Sequence, residues 1–183
     1  STSWIFFSLF GMLPFLVHGD IDNITDAFFE TMSGCTTTGA TILDDIESLP
    51  HGILFWRSLM QWLGGMGIIL FTLAVLPMLN SGGGIQLFNA EDPGITHDKL
   101  RPRISETAKR LWIVYLSITV LLIVLLVLGP MNFFDAVCHA LTTTATGGYS
   151  TKQNSIAYWD SAYIEYVIII FMLISGINFS LVY

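Results

Sequence analysis

Long apolar runs alternate along this chain with short stretches of Thr, Gly and Ser. Four of the runs approach the ~20 residues that a helix needs to cross a bilayer. They cover residues 4–17, 53–79, 111–128 and 162–183. The second is interrupted by Arg57, Gln61 and the Gly-rich stretch Gly64-Gly65-Met66-Gly67, where a kink is expected; the third is nearly all Leu, Ile and Val. The fourth carries Glu165 near its start and Asn178 near its end. The first has no basic flank and no small-residue cleavage site, so it reads as the end of a membrane helix rather than a signal peptide. The chain both opens and closes inside an apolar run, and a longer parent protein is expected.

Two further segments, 26–41 and 135–150, begin mildly apolar and end in TTTGAT (36–41) and TTTATGGYS (142–150). Each is too short to span. A re-entrant half-helix followed by an extended loop fits the length, and such backbone is tolerated at membrane depth only where it is buried in protein or lines water. Asp26 and Asp135 are the expected N-caps of the half-helices. The negative C-terminal ends would then face a cation at the loops. Gly64, Gly65 and Gly67 are expected to allow close helix packing. Arg57, one turn into its helix, must snorkel or pair with an acidic loop residue. Asn178 is expected to bond across helices.

Composition sharpens the solvent. The chain is 53% hydrophobic and 11% charged, whereas soluble domains carry about a quarter charged residues. The net charge of −7 argues against a nucleic-acid partner. Lys99, Arg101, Arg103, Lys109 and Arg110 cluster between the second and third runs, which puts residues 81–110 on the cytoplasmic side and both Thr/Gly loops outside. Asp20, Asp22, Asp44, Asp45, Glu47 and Asp160 would form an acidic outer rim that concentrates cations, although each alone reads as an ordinary solvated charge. Ser81–Gly84 lacks the rest of a phosphate-binding motif and reads as a helix exit. Pro93, Gly94 and Pro102 predict an irregular loop, with Ser105-Glu106-Thr107 starting the next helix. Cys35 and Cys138 read as free thiols. The His residues show no metal-ligand spacing, and His139, the one candidate base, has no evident nucleophile beside it. An intramembrane enzyme is not expected.

A shift of 109 residues aligns the two halves without a gap, placing Asp26 on Asp135, Ala27 on Ala136, Thr37 on Thr146, Gly39 on Gly148 and Gly67 on Gly176. The chain therefore reads as an all-α integral membrane protein of two tandem helix–pore loop–helix units with a potassium-channel-like fold. The first unit is 1–80, the cytoplasmic linker 81–105 and the second unit 106–183. The second loop shares Thr, the central Gly and Tyr with the channel filter TVGYG; the first shares Thr and Gly. An ion that sheds its water needs replacement oxygens. Backbone carbonyls of Thr37, Thr38, Gly39, Thr146, Gly147 and Gly148 would supply them to K⁺, with Gly39 and Gly148 permitting the left-handed backbone that turns carbonyls to one side. The absence of loop carboxylates suits a monovalent ion better than Ca²⁺. Ala40, in the place of the filter Tyr, would loosen selectivity. The competing function is an ion-coupled secondary transporter with the loops as its substrate site, for which the helices offer few buried polar side chains beyond Asn178.

The stretches SGCTTTGAT (33–41), WRSLMQWLGGMGI (56–68), RPRISETAKRLW (101–112) and ATGGYST (145–151) resemble the membrane subunits of bacterial TrkH-type potassium uptake systems, within the Trk/Ktr/HKT superfamily. The middle two are the more specific. The resemblance implies K⁺ uptake across the bacterial inner membrane by a chain of four such units around one pathway, with Gly39 and Gly148 as the key glycines of the first two. It further implies homodimers and a cytosolic ring of nucleotide-binding, TrkA-type regulatory subunits, with no cofactor. The third and fourth units, including the family's gating loop, are not in this sequence.

Overall fold

The computed structural model describes residues 2–19, 21, 23–80 and 100–176. Among them all regular structure is helical. The helices are α1 (Thr2–Gly11), α2 (Leu13–His18), α3 (Ile24–Cys35), α4 (His51–Asn80), α5 (Leu100–Leu128), α6 (Phe133–Thr144) and α7 (Ala162–Gly176), with a 3₁₀ turn at Ser155–Trp159 before the last. Asn178, Ser81–Gly84, Pro93, Gly94, Lys99, Asp20 and Asp22 lie outside the described residues.

The first apolar run is not one helix. It breaks at Met12, between α1 and α2, because Pro14 in the first turn of α2 has no N–H to donate. The indole of Trp56 donates to the Gly11 carbonyl at 2.9 Å, beside that break. The third run gains rather than loses length: α5 opens at Leu100, ahead of the expected Ser105, because Pro102 falls in its first turn, where a missing N–H costs nothing. Residues Glu106–Leu128 of α5 form a 23-residue stretch whose most apolar 18-residue window has a mean hydropathy of 3.0; the stretch is ~34 Å long at the helical rise, enough to cross a hydrocarbon core of ~30 Å. Ile113, Leu116, Val120 and Val124 recur along it at helical spacing and are exposed. Tyr166, Ile169, Ile170 and Leu173 form a similar outward stripe on α7. Such faces are stable against lipid and not against water.

The half-helices α3 and α6 have 12 residues each, ~18 Å, too short to span. Their N-caps are not Asp26 and Asp135 but Asn23 and Asn132, three residues earlier in each case. The Asn23 carboxamide accepts from Thr25 N at 3.0 Å, and that of Asn132 from Asp135 N at 2.8 Å. Asn132 Nδ2 also donates to the Asp135 carboxylate at 2.8 Å, so Asp135 takes the third helical position, where a carboxylate meets the positive end of the helix. Asn132→Ala is expected to destabilise the protein by about 1 kcal/mol, read as a lowered thermal midpoint in detergent, with Asn132→Asp close to wild type.

Two apolar cores result. One joins Phe15, Ile21, Ala27, Cys35, Ile53 and Met60; the other joins Leu122, Leu126, Met131, Ala136, Ala140, Ile164, Ile168 and Phe171. Helix α4 ties them together. It packs on α3, α5 and α6, the Trp62 indole donates to Thr119 Oγ1 at 3.0 Å, and Tyr115 Oη donates to the Trp62 carbonyl at 2.9 Å. The glycines serve this contact: a Cβ at Gly64 would collide with the Cys35 carbonyl, and one at Gly65 would crowd Tyr115 Oη and Ala145. Through the predicted kink α4 runs as one unbroken helix. Cys35 and Cys138 are buried free thiols.

Candidate functional site

Both half-helices end in the same way. Thr38 N donates to Ser33 O at 2.9 Å and Thr37 N to Gly34 O at 3.0 Å; at the matching positions Gly147 N donates to Thr142 O at 2.9 Å and Thr146 N to Thr143 O at 3.0 Å. This is the Schellman pattern, with a left-handed residue just past the cap. That residue is Thr rather than Gly in both, with φ 56 at Thr37 and at Thr146. A β-branched side chain is strained there, a cost of about 1–3 kcal/mol. Two residues on, Gly39 and Gly148 have φ 78 and 85. The left-handed backbone anticipated at the glycines is present, and so is a strained Thr that the sequence did not signal. The Schellman bonds engage the last carbonyls of each half-helix, so the C-terminal ends are partly satisfied by their own chain.

From these turns the chain runs back along the half-helix. In the first loop, Thr41 Oγ1 and Ile42 N donate to the two carboxylate oxygens of Glu30 at 3.0 and 3.1 Å. In the second, Ser150 Oγ lies 2.9 Å from His139 Nε2. The shift that aligns Asp26 with Asp135 also puts Glu30 on His139 and Thr41 on Ser150. The hydroxyls then take the next backbone donors, Leu43 N at 3.2 Å and Lys152 N at 3.0 Å. Each loop exit is therefore pinned to its half-helix by an ionisable side chain and a hydroxyl. Ser150 corrects the expectation that no nucleophile stands beside His139: chain reversal brings together residues eleven apart. His139 Nδ1 faces the Asp135 carbonyl at 2.8 Å. A carbonyl only accepts, so Nδ1 carries a proton, and when the ring is neutral Nε2 accepts the Ser150 hydroxyl. With Ser150 Oγ also accepting Lys152 N–H, the pair is a brace.

Arg57 does pair with an acid, but the partner is Glu30 of the half-helix, at 2.8 Å, with both side chains buried. Its Nη2 also donates to Thr41 Oγ1 at 3.1 Å, and its guanidinium stacks 4.3 Å above the Tyr149 ring. Tyr149 Oη donates to Glu30 O at 2.9 Å. The second loop is thus anchored against α3 and α4. Farther out, Lys152 meets Glu47 at 3.5 Å and Ile46 N donates to Gln153 Oε1 at 3.2 Å.

Of the predicted loop residues, Gly39 and Gly147 come together. A Cβ at Gly39 would collide with the Gly147 carbonyl oxygen. Thr38, Thr146 and Gly148 are exposed, Thr37 and Gly39 half-buried and Gly147 buried. Thr38 Oγ1 is bonded to Thr36 Oγ1 at 2.8 Å. Beside the second loop lies a cavity of about 360 Å³ lined by Thr142, Thr143, Thr146, Gly147, Gly148 and Met172, among others. Its oxygens are hydroxyls and backbone carbonyls, and among the described residues no group of three or more His, Cys, Asp or Glu side chains is placed to hold a metal ion.

An all-α membrane architecture whose paired half-helices present hydroxyl- and glycine-lined turns to one another belongs to the class of integral membrane transport proteins. A family model described as "Cation transport protein", TrkH, matches residues 1–183, and the chain belongs to that family. It is 51% identical over 180 residues to the Trk system potassium uptake protein TrkH of Escherichia coli K12, covering 97% of this chain and 37% of the relative. Identity to the Trk system potassium uptake protein TrkG of the same organism is 43% over 183 residues, 98% of this chain and 37% of the relative. The crystal structure of the potassium transporter TrkH from Vibrio parahaemolyticus superposes with a TM-score of 0.82 at 43% identity, covering 97% of this chain and 35% of that one. The chain thus spans about 37% of the length of the curated relatives it matches.

Proposed function

We propose that this chain forms part of a K⁺ uptake pathway across the bacterial inner membrane, with Thr37, Thr38 and Gly39 and Thr146, Gly147 and Gly148 as two segments of its selectivity filter. The observation that carries this is the approach of the two loops at Gly39 and Gly147, each following a half-helix with matched left-handed turns. The names of the relatives, Trk system potassium uptake proteins, support potassium as the ion. Residues 1–80 and 106–183 act as successive helix–loop–helix units joined by a cytoplasmic linker, 81–105, and the loops face outward. The whole protein works as a homodimer with a cytosolic, nucleotide-binding regulatory subunit of TrkA type. Ion passage by this route needs no covalent chemistry: carbonyls and Thr hydroxyls replace water around the ion.

The test is Rb⁺ and Na⁺ uptake in cells lacking their own potassium uptake, expressing the gene extended to its natural ends together with its regulatory partner. Rb⁺ uptake is expected to exceed Na⁺ uptake and to vanish in Gly148→Asp with surface abundance retained. Unchanged flux in that variant would reduce TGGYS to an ordinary turn. A well-expressed wild type without Rb⁺ uptake would remove the K⁺ assignment.

A further inference from the structure

Gln61 lies one helical turn beyond Arg57 on α4 and is fully buried. Its side chain is hydrogen-bonded to the second loop and lies beside the first. Oε1 accepts from Tyr149 N at 3.2 Å. The carboxamide lies so close to Gly147 that a Cβ there would collide with it, and Nε2 stands 3.8 Å from the point a Gly39 Cβ would occupy. The Gly147 carbonyl oxygen converges on that same point. The amide cannot be reversed without setting its NH₂ against the Tyr149 N–H, so its orientation is fixed by the backbone. Nε2 is buried and has no acceptor among the described residues.

An amide donor left unpaired between two loops is costly. Its position explains why it is kept there. The bulk of the carboxamide stops Gly147 from moving further toward α4, while the bond to Tyr149 N stops the second loop from drifting away. Any shift that brings a filter carbonyl onto Nε2 withdraws that oxygen from an ion. Selectivity among monovalent cations depends on the size of the oxygen cage, or on the number and strength of its dipoles. Both change with the spacing of the loops. We propose that Gln61 is a positioning residue that sets the spacing of the two loops and thereby the discrimination between K⁺ and Na⁺. This rests on the filter assignment above.

The full-length protein, with its regulatory partner, is compared as wild type, Gln61→Met, Gln61→Asn and Gly148→Asp by Rb⁺ and Na⁺ uptake at matched surface abundance. Met keeps the shape and loses both polar atoms. The Rb⁺/Na⁺ ratio is expected to fall on the order of tenfold, the factor carried by one lost hydrogen bond to a buried group, through a rise in Na⁺ uptake. A residue that only stabilised the fold would lower both fluxes together and leave the ratio alone. Gln61→Asn, which keeps the chemistry but shortens the reach, decides the matter if the Met variant fails to reach the membrane, and it is expected to lower the ratio as well. A wild-type ratio in the deciding variant overturns the inference, as does loss of both variants from the membrane. If Gly148→Asp abolishes flux while Gln61→Met keeps the ratio, the inference on Gln61 alone fails. If Gly148→Asp leaves flux intact, the filter assignment fails and the inference falls with it.

Discussion

Glu30→Ala is expected to cost about 3–5 kcal/mol of stability, the range for stranding one partner of a buried ion pair. Arg57 would stay behind, 1% exposed, with its 2.8 Å partner gone. The loss reaches past the pair, because the same carboxylate accepts from Thr41 Oγ1 and Ile42 N and so holds the exit of the first loop. Membrane abundance and the thermal midpoint in detergent are both expected to drop sharply. Glu30→Met with Arg57→Met removes both charges and leaves no ion unpaired, so the double variant is expected to be more stable than Glu30→Ala alone. A Glu30→Ala protein that melts like wild type would mean that the pair contributes nothing to the fold.

Gly39→Ala and Gly148→Ala are expected to separate widely, although their backbones match. Both glycines are left-handed, and a side chain there costs about 1–2 kcal/mol in either loop. The difference lies in the surroundings. A Cβ at Gly39 collides with the Gly147 carbonyl, whereas one at Gly148 meets nothing within 4 Å. Gly39→Ala must therefore push the loops apart, and Rb⁺ uptake is expected to fall to background. Gly148→Ala keeps a measurable share of it. Equal uptake by the two variants would contradict the close approach of the loops.

The hydropathy of α5 and α7 and the brevity of α3 and α6 were legible because each depends on residues adjacent in sequence. The need for left-handed backbone at Gly39 and Gly148 was legible for the same reason. The caps were misread: Asp and Asn both cap helices, and the choice between Asn23 and Asp26 is made by where the chain enters the turn. The strained Thr37 and Thr146 left no mark, since Thr carries no local preference for that conformation. Glu30 gave the same signal as Arg57, an ionisable group at membrane depth, but recognising the two as partners required the return of the loop past the half-helix. Gln61 stood in the sequence only as a polar interruption of an apolar run. Its role depends on Tyr149, 88 residues away, and no periodicity within α4 reports that contact.

The braces at positions 30 and 139 differ in kind. One is a carboxylate tied to a guanidinium, the other an imidazole tied to a serine hydroxyl. In a ring of identical subunits, any change behind one loop is copied into every loop at once. A chain that carries its loops in tandem escapes that symmetry. Here the two braces are chemically unlike, so a substitution at position 30 or at position 139 changes one of them without being copied into the other.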